Sequence, residues 1–159
     1  MKNLEIARIL NHIADILELQ EVQWKPQAYR KAAQAVEFLT EDIKDIYNRG
    51  ELEDIPGVGE HIAKKIEEIL KTGGLKYFTQ LKKQVKVDIE QLNMVPSLGP
   101  KKIKILYKKL GVKNINDLES AIKKGKLEKL SGFGKKTEAS LLEGIGIVKS
   151  RPKRFLYAQ

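Results

Sequence analysis

Ten residues from Gly50 to Gly59, GELEDIPGVG, recur in register as GKLEKLSGFG from Gly125 to Gly134, and a middle version, LNMVPSLG from Leu92 to Gly99, keeps the apolar pattern and the final glycine. Each copy runs from a hydrophobic residue into a tight turn and then into a helical pattern, as LEDIPGVGEHIAKKIEEIL, LNMVPSLGPKKIKILYKKL and LEKLSGFGKKTEASLLEGI. The closing glycines, Gly59, Gly99 and Gly134, stand 40 and 35 residues apart. Such a period predicts a tandem array of helix, hairpin and helix units. Ser97 occupies the position of Gly57 and Gly132 in the other copies, and Pro100 suits the first helical position, where no ladder donor is lost.

The turns have a chemical use. A helix opens with N–H groups that have no partner inside the helix, and its dipole favours an anion there. Glycine allows φ > 0 and leaves no Cβ to hold a phosphate away, so Gly57 and Gly59, Gly99 and Gly134 are candidate contacts. Lys101 and Lys102 follow the second turn, and Lys135 and Lys136 the third. Three such cradles in a chain of net charge +9 suggest a nucleic-acid backbone as partner, held without reading its sequence.

Elsewhere the hydrophobic spacing is helical. Leu4, Ala7, Leu10, Ala14 and Leu17, joined by Ile6, Ile9, Ile13 and Ile16, predict a long first helix with a broad buried face. A second, after the Trp24-Lys25-Pro26 break, carries Tyr29, Ala32, Ala33, Val36 and Leu39, and a short third follows Thr40 and ends at Arg49-Gly50. No stretch keeps the two-residue alternation of a strand; Val85 to Ile89 comes nearest and reads as a linker or helix start. The expected fold class is therefore all-α, with a helical domain over residues 1–86 and a second over 87–159. Cysteine is absent, so there is no disulfide framework and no thiolate chemistry. Glu5, Arg8, His12 and Asp15 interrupt the N-terminal segment, which reads neither as a signal peptide nor as a membrane span. The expected setting is cytoplasmic, associated with the nucleoid if the source is a prokaryote.

AYRKAAQAV at Ala28 to Val36, the first hairpin with its trailing TGGLKYFTQL, VPSLGPKKIKILYKKLGV, and LSGFGKKTEASLLEGI together cover nearly the whole chain. In combination they resemble the N-terminal region of family X DNA polymerases, a small lyase domain followed by a duplex-holding helix-hairpin-helix segment. The third hairpin and the closing SRPKRFLYAQ are most similar to the bacterial and archaeal branch, where that segment leads into the palm domain. The resemblance implies gapped or nicked double-stranded DNA as partner, and removal of a 5′-deoxyribose phosphate by a lysine Schiff base without an added cofactor. Lys65 occupies the nucleophile's place. Its spacing from Ile62 and Ile69 sets it at the edge of an apolar face near His61 and Lys64, where partial burial and like charge lower an amine's pKa. Lys25 and Tyr29 match the family's 5′-phosphate pocket, and Trp24 stands where some relatives place a stacking histidine. Two positions depart from the pattern, since His61 replaces a pocket lysine and Tyr77 stands where an animal relative has a further lysine. Family hairpins also hold a monovalent cation, Na+ or K+, on turn carbonyls, which correspond here to Glu53, Ile55 and Val58 and to Asn93, Val95 and Leu98.

Polymerase chemistry needs clustered carboxylates for two divalent ions, and the chain has no Asp-x-Asp pair. With His12 and His61 its only histidines, it also lacks a His-rich phosphoesterase site. Lys149 to Arg154 ends where the resemblance expects a palm, so the expectation is a monomeric piece of a longer polypeptide whose C-terminal polymerase domains lie outside it. Three readings remain open on residues alone: a DNA-gripping lyase, a non-catalytic DNA-binding module, and a helical protein-interaction array.

Overall fold

A computed structural model describes residues 2–150, and all of its regular structure is helical. The chain divides into two compact units, Met1–Val85 and Lys86–Gln159. The expected all-α class holds. The basic end beyond Ser150, including Arg154, lies outside the described residues.

In the first unit, α1 (Asn3–Leu19) buries Ile6, Leu10, Ile13 and Leu17, spaced so that one face stays turned to the core, while Leu4 is exposed despite fitting the same period. α2 (Lys25–Glu37) packs Tyr29, Ala32, Ala33 and Val36 against it. Those alanines let the two backbones approach. Arg30 bonds Asp15 at 2.7 Å and lies 3.4 Å from Glu18, joining α2 to α1. The buried amide of Asn3 donates to the Glu41 carbonyl at 2.8 Å and accepts from the Ile43 N–H at 2.9 Å, clipping the start of α1 to α3 (Ile43–Asn48). Asp42 caps α3 through the Lys44 N–H. α4 (Glu60–Thr72) follows the first turn and stops at Gly73, whose φ of 81° is left-handed. The carboxylate of Glu68 then accepts the Lys76 N–H at 2.8 Å, anchoring the first turn of α5 (Lys76–Gln84).

Residues 85–88 carry no helix or strand, and Asp88 caps α6 (Ile89–Asn93), the first helix of the second unit. α7 (Pro100–Leu110) has its proline in the first turn and ends at the left-handed Gly111. Asn114 caps α8 (Ile115–Lys123) through the Asp117 N–H at 2.8 Å. α9 (Lys135–Ser150) buries Leu141, Gly144, Ile145 and Val148.

Gly144 is where α9 meets the second turn most closely. A Cβ built there would lie 2.8 Å from Pro96 Cδ and 3.0 Å from Val95 Cγ1, whereas one at Gly146, two residues on, would meet nothing within 4 Å. Alanine is favoured over glycine in a helix by about 1 kcal/mol, but overpacking costs about 1 to 3 kcal/mol. Gly144→Ala should therefore lower the stability of the second unit and Gly146→Ala should raise it, as read by urea melts of the two variants beside the parent chain.

Candidate nucleic-acid interface

The three turns share one hydrogen-bonded frame. In the first, the Ile55 N–H donates to Leu52, Val58 to Ile55 and Ala63 to Gly59, at 3.2, 3.0 and 2.8 Å. Val95 to Leu92, Leu98 to Val95 and Ile103 to Gly99 repeat it at 3.1, 3.1 and 3.0 Å, and Leu130 to Leu127, Phe133 to Leu130 and Glu138 to Gly134 at 2.9, 3.3 and 3.0 Å. Short 3-10 turns, Leu52–Asp54 and Leu127–Lys129, precede the first and third, where the second has α6. The repeated decapeptide is thus repeated backbone. Gly50 and Gly125 have φ of 73° and 71°, and Gly57 and Gly132 have 90° and 88°.

The closing glycines correct one expectation. Gly59 and Gly99 are extended, at φ −90° and −102°, so neither needs the left-handed region. That requirement falls on Gly57, Ser97 and Gly132, and Ser97 meets it at φ 72° without being glycine. What Gly59, Gly99 and Gly134 contribute is room, for a Cβ on any of them would touch nothing within 4 Å. Each stands at or just before the start of its helix, where the unpaired N–H groups lie.

The lysines around the turns differ in freedom. Lys101, Lys135 and Lys136 are exposed. Lys102 is half-buried, donates to the Ser97 carbonyl at 3.3 Å and lies 5.9 Å from the centre of the Phe133 ring. Exposed Lys64 pairs with Glu60 at 3.4 Å, and His61 is exposed beside it on α4. Lys31, which the sequence did not single out, lies against the first turn, its Cγ 3.3 Å from where a Gly57 Cβ would stand.

Lys65 stands apart. It is half-buried on α4, with its Nζ 4.9 Å from the centre of the Tyr77 ring, and Tyr77 stacks on Tyr29 at 6.4 Å and 20°. Burial pushes the Lys65 amine below the ordinary lysine range, Lys25 pushes it further down, and Glu68 opposes them. The like charge therefore comes from Lys25 on α2, not from the expected neighbours His61 and Lys64. Burial first, then the neighbouring Tyr77, holds the Tyr29 phenol far above the usual tyrosine range; burial also raises Tyr77. Residues from three helices thus meet: Lys25 and Tyr29 of α2, Lys65 of α4 and Tyr77 of α5. Trp24, adjoining this cluster at the N-cap of α2, is 80% exposed. A groove of about 340 Å³ elsewhere on this unit, lined by Tyr47, Glu53, Glu60, Lys64 and Glu67 among others, carries the wrong sign of charge for a phosphate.

A fold of helices joined by such turns defines a class, and comparison agrees. Residues 1–75 match the helix-hairpin-helix domain family and residues 89–146 the SAM-like helix-hairpin-helix tandem family. The chain belongs to the helix-hairpin-helix proteins, and within them it is similar to the N-terminal part of family X DNA polymerases. It is 34% identical over 156 residues to the DNA polymerase/3′-5′ exonuclease PolX of Bacillus subtilis, which covers 98% of this chain and 27% of that protein. It is 28% identical over 116 residues to DNA polymerase lambda of Rattus norvegicus, 73% of this chain and 19% of that one. The chain thus spans about a quarter or less of the length of these relatives. Among the described residues no helix is long and apolar enough to cross a membrane.

Trp24 combines broad exposure with φ 70° and ψ −41°, the strained centre of a γ-turn closed by the Lys25 N–H on the Gln23 carbonyl at 2.8 Å, a conformation that costs about 1 to 3 kcal/mol. Trp24→Gly removes that strain and little buried surface, so its denaturation midpoint should fall at or above that of the parent. Tyr29→Ala, which empties a buried site, should cost about 3 kcal/mol in the same melts.

Proposed function

We propose that this chain grips DNA at gaps or nicks in the course of repair, and that its first unit removes a 5′-deoxyribose phosphate with Lys65 as the Schiff-base nucleophile. The observation that carries the reading is the half-buried amine of Lys65 set among Lys25, Tyr29 and Tyr77. The three turns, which we read as helix-hairpin-helix motifs, offer Gly57, Gly59, Gly99 and Gly134 with their helix N–H groups to phosphate oxygens, and Lys101, Lys135 and Lys136 add exposed charge. Two relatives named as DNA polymerases support the choice of DNA, and their greater length supports these units serving a longer polypeptide with polymerase domains. The turn carbonyls at Glu53, Ile55 and Val58, and at Asn93, Val95 and Leu98, suit a Na+ or K+ ion shared with a phosphate. Ile55 and Val95 each accept one turn bond and keep a second lone pair for it.

The neutral amine of Lys65 attacks C1′ of the open-chain sugar, and loss of water leaves an iminium. The iminium acidifies C2′; as that proton leaves, the C3′–O bond breaks and the DNA departs with its 5′-phosphate. Hydrolysis of the remaining imine returns the lysine. Lys25 and Tyr29 hold the phosphate, and Trp24 offers a stacking face to an unpaired base.

A non-catalytic DNA-binding module is the second reading, favoured by His61 and Tyr77 standing where the family has permanent charges. Borohydride trapping on a gapped duplex with a 5′-deoxyribose phosphate separates the two, with Lys65→Ala in parallel. The expected result is a covalent adduct that disappears in the variant; salt-sensitive binding without adduct would leave the grip alone, and binding indifferent to salt would overturn both. Attack needs the unprotonated amine, and the Lys65 pKa is lowered, so trapping should rise with pH and reach half its plateau below about 10.4, the ordinary lysine value.

A further inference from the structure

Tyr77 takes no part in the bond changes above, yet the cluster converges on it. Its ring lies 4.9 Å from Lys65 Nζ, within the reach of a cation–π contact, and it is stacked on Tyr29, the phosphate-pocket tyrosine. Its own position is fixed three ways. The Glu68 carboxylate anchors the N–H of the preceding residue at 2.8 Å, Leu75 and Leu81 are buried on either side of it, and its ring stacks on Tyr29.

We infer that Tyr77 is a positioning residue for Lys65, holding the ammonium on its ring beside Tyr29 so that the amine is already aimed at the phosphate-binding site when DNA arrives. Lysine has four side-chain torsions, and ordering them costs conformational entropy. A ring contact supplies part of that before the substrate binds. The contact also releases itself, for the π face attracts the ammonium and has little hold on the neutral amine that attacks. A lysine at position 77 would do the reverse, repelling Lys65. The inference rests on the lyase reading for its catalytic consequence and on the ring contact alone for its structural one.

Lys82 lies 4.3 Å from the centre of the Phe78 ring on the same helix and serves as an internal control. The test compares the parent chain with Tyr77→Phe and Tyr77→Leu, first by the NMR shift of the Lys65 ε-methylene in the free protein, then by trapping at saturating gapped DNA. The expected result is an upfield ring-current shift for Lys65 that Leu abolishes, with Lys82 unmoved in both variants as evidence that α5 is intact. Trapping should slow about 3- to 10-fold in Tyr77→Leu, the size of a partly desolvated cation–π contact, at unchanged DNA affinity. Tyr77→Phe, which keeps the ring, should recover the shift and most of the rate. A Lys65 shift indifferent to Tyr77→Leu would overturn the inference, as would trapping as fast as or faster than in the parent. Should the parent form no Lys65-dependent adduct, the lyase reading fails on its own and the methylene shift still decides whether the ring holds the amine.

Discussion

One buried side chain in each turn organises everything around it. Val58, Leu98 and Phe133, between the left-handed residue and the closing glycine, are 4%, 4% and 2% exposed. Turning that residue into the core forces its neighbours outward, so the exposed surface of the turn is backbone. The left-handed residue before it reverses the chain, and the extended glycine after it launches the helix. Burial of an apolar residue is worth about 1.5 to 3 kcal/mol, enough to hold Ser97 in a conformation its side chain disfavours by about 1 to 2 kcal/mol. The open space at the helix start is a by-product of core packing.

The electrostatics of Lys65 are a contest between unequal partners. Burial and Lys25 both favour the neutral amine, while Glu68 and the Tyr77 ring favour the ammonium. The amine's pKa falls because burial, and after it Lys25, outweigh Glu68. Its carboxylate accepts the Lys76 N–H at the start of α5, sharing its charge with a helix terminus that already attracts it. One acid thus fixes the helix that carries Tyr77 and leaves Lys65 without a dedicated counter-ion. A free carboxylate beside Lys65 would have made an ordinary ion pair and an inert lysine.

Much of this was legible in the chain. The helical periods of α1 and α2 and the ten-residue repeat are local signals, and local signals survive into the structure because the apolar stripe and the core face are the same residues. Lys25 is near enough to Lys65 for their charges to interact, and Tyr29 reaches Lys65 through Tyr77. What stayed hidden depends on contacts between distant residues. Asn3 reads as a polar residue ahead of a helix, and only the fold brings it to Glu41 and Ile43. Glu68 and Lys76 are eight residues apart across a Gly-Gly turn, so no helical spacing links them. Tyr77 looked like a loss of charge, and its value lies in a ring face whose direction no sequence states.

The hairpin frame by itself carries no chemistry, and the other two copies make that plain. The residues six positions after Gly99 and Gly134, equivalent to Lys65, are Ile105 and Ser140. In the second turn even a nearby ammonium is engaged elsewhere, with Lys102 on the Ser97 carbonyl and near the Phe133 ring. Those copies present backbone N–H groups and surface lysines. The first differs because side chains of two other helices reach Lys65, Lys25 of α2 through its charge and Tyr77 of α5, stacked on Tyr29, through its ring. Partial burial of Lys65 beside those residues sets the first turn apart, although one turn geometry recurs in all three places.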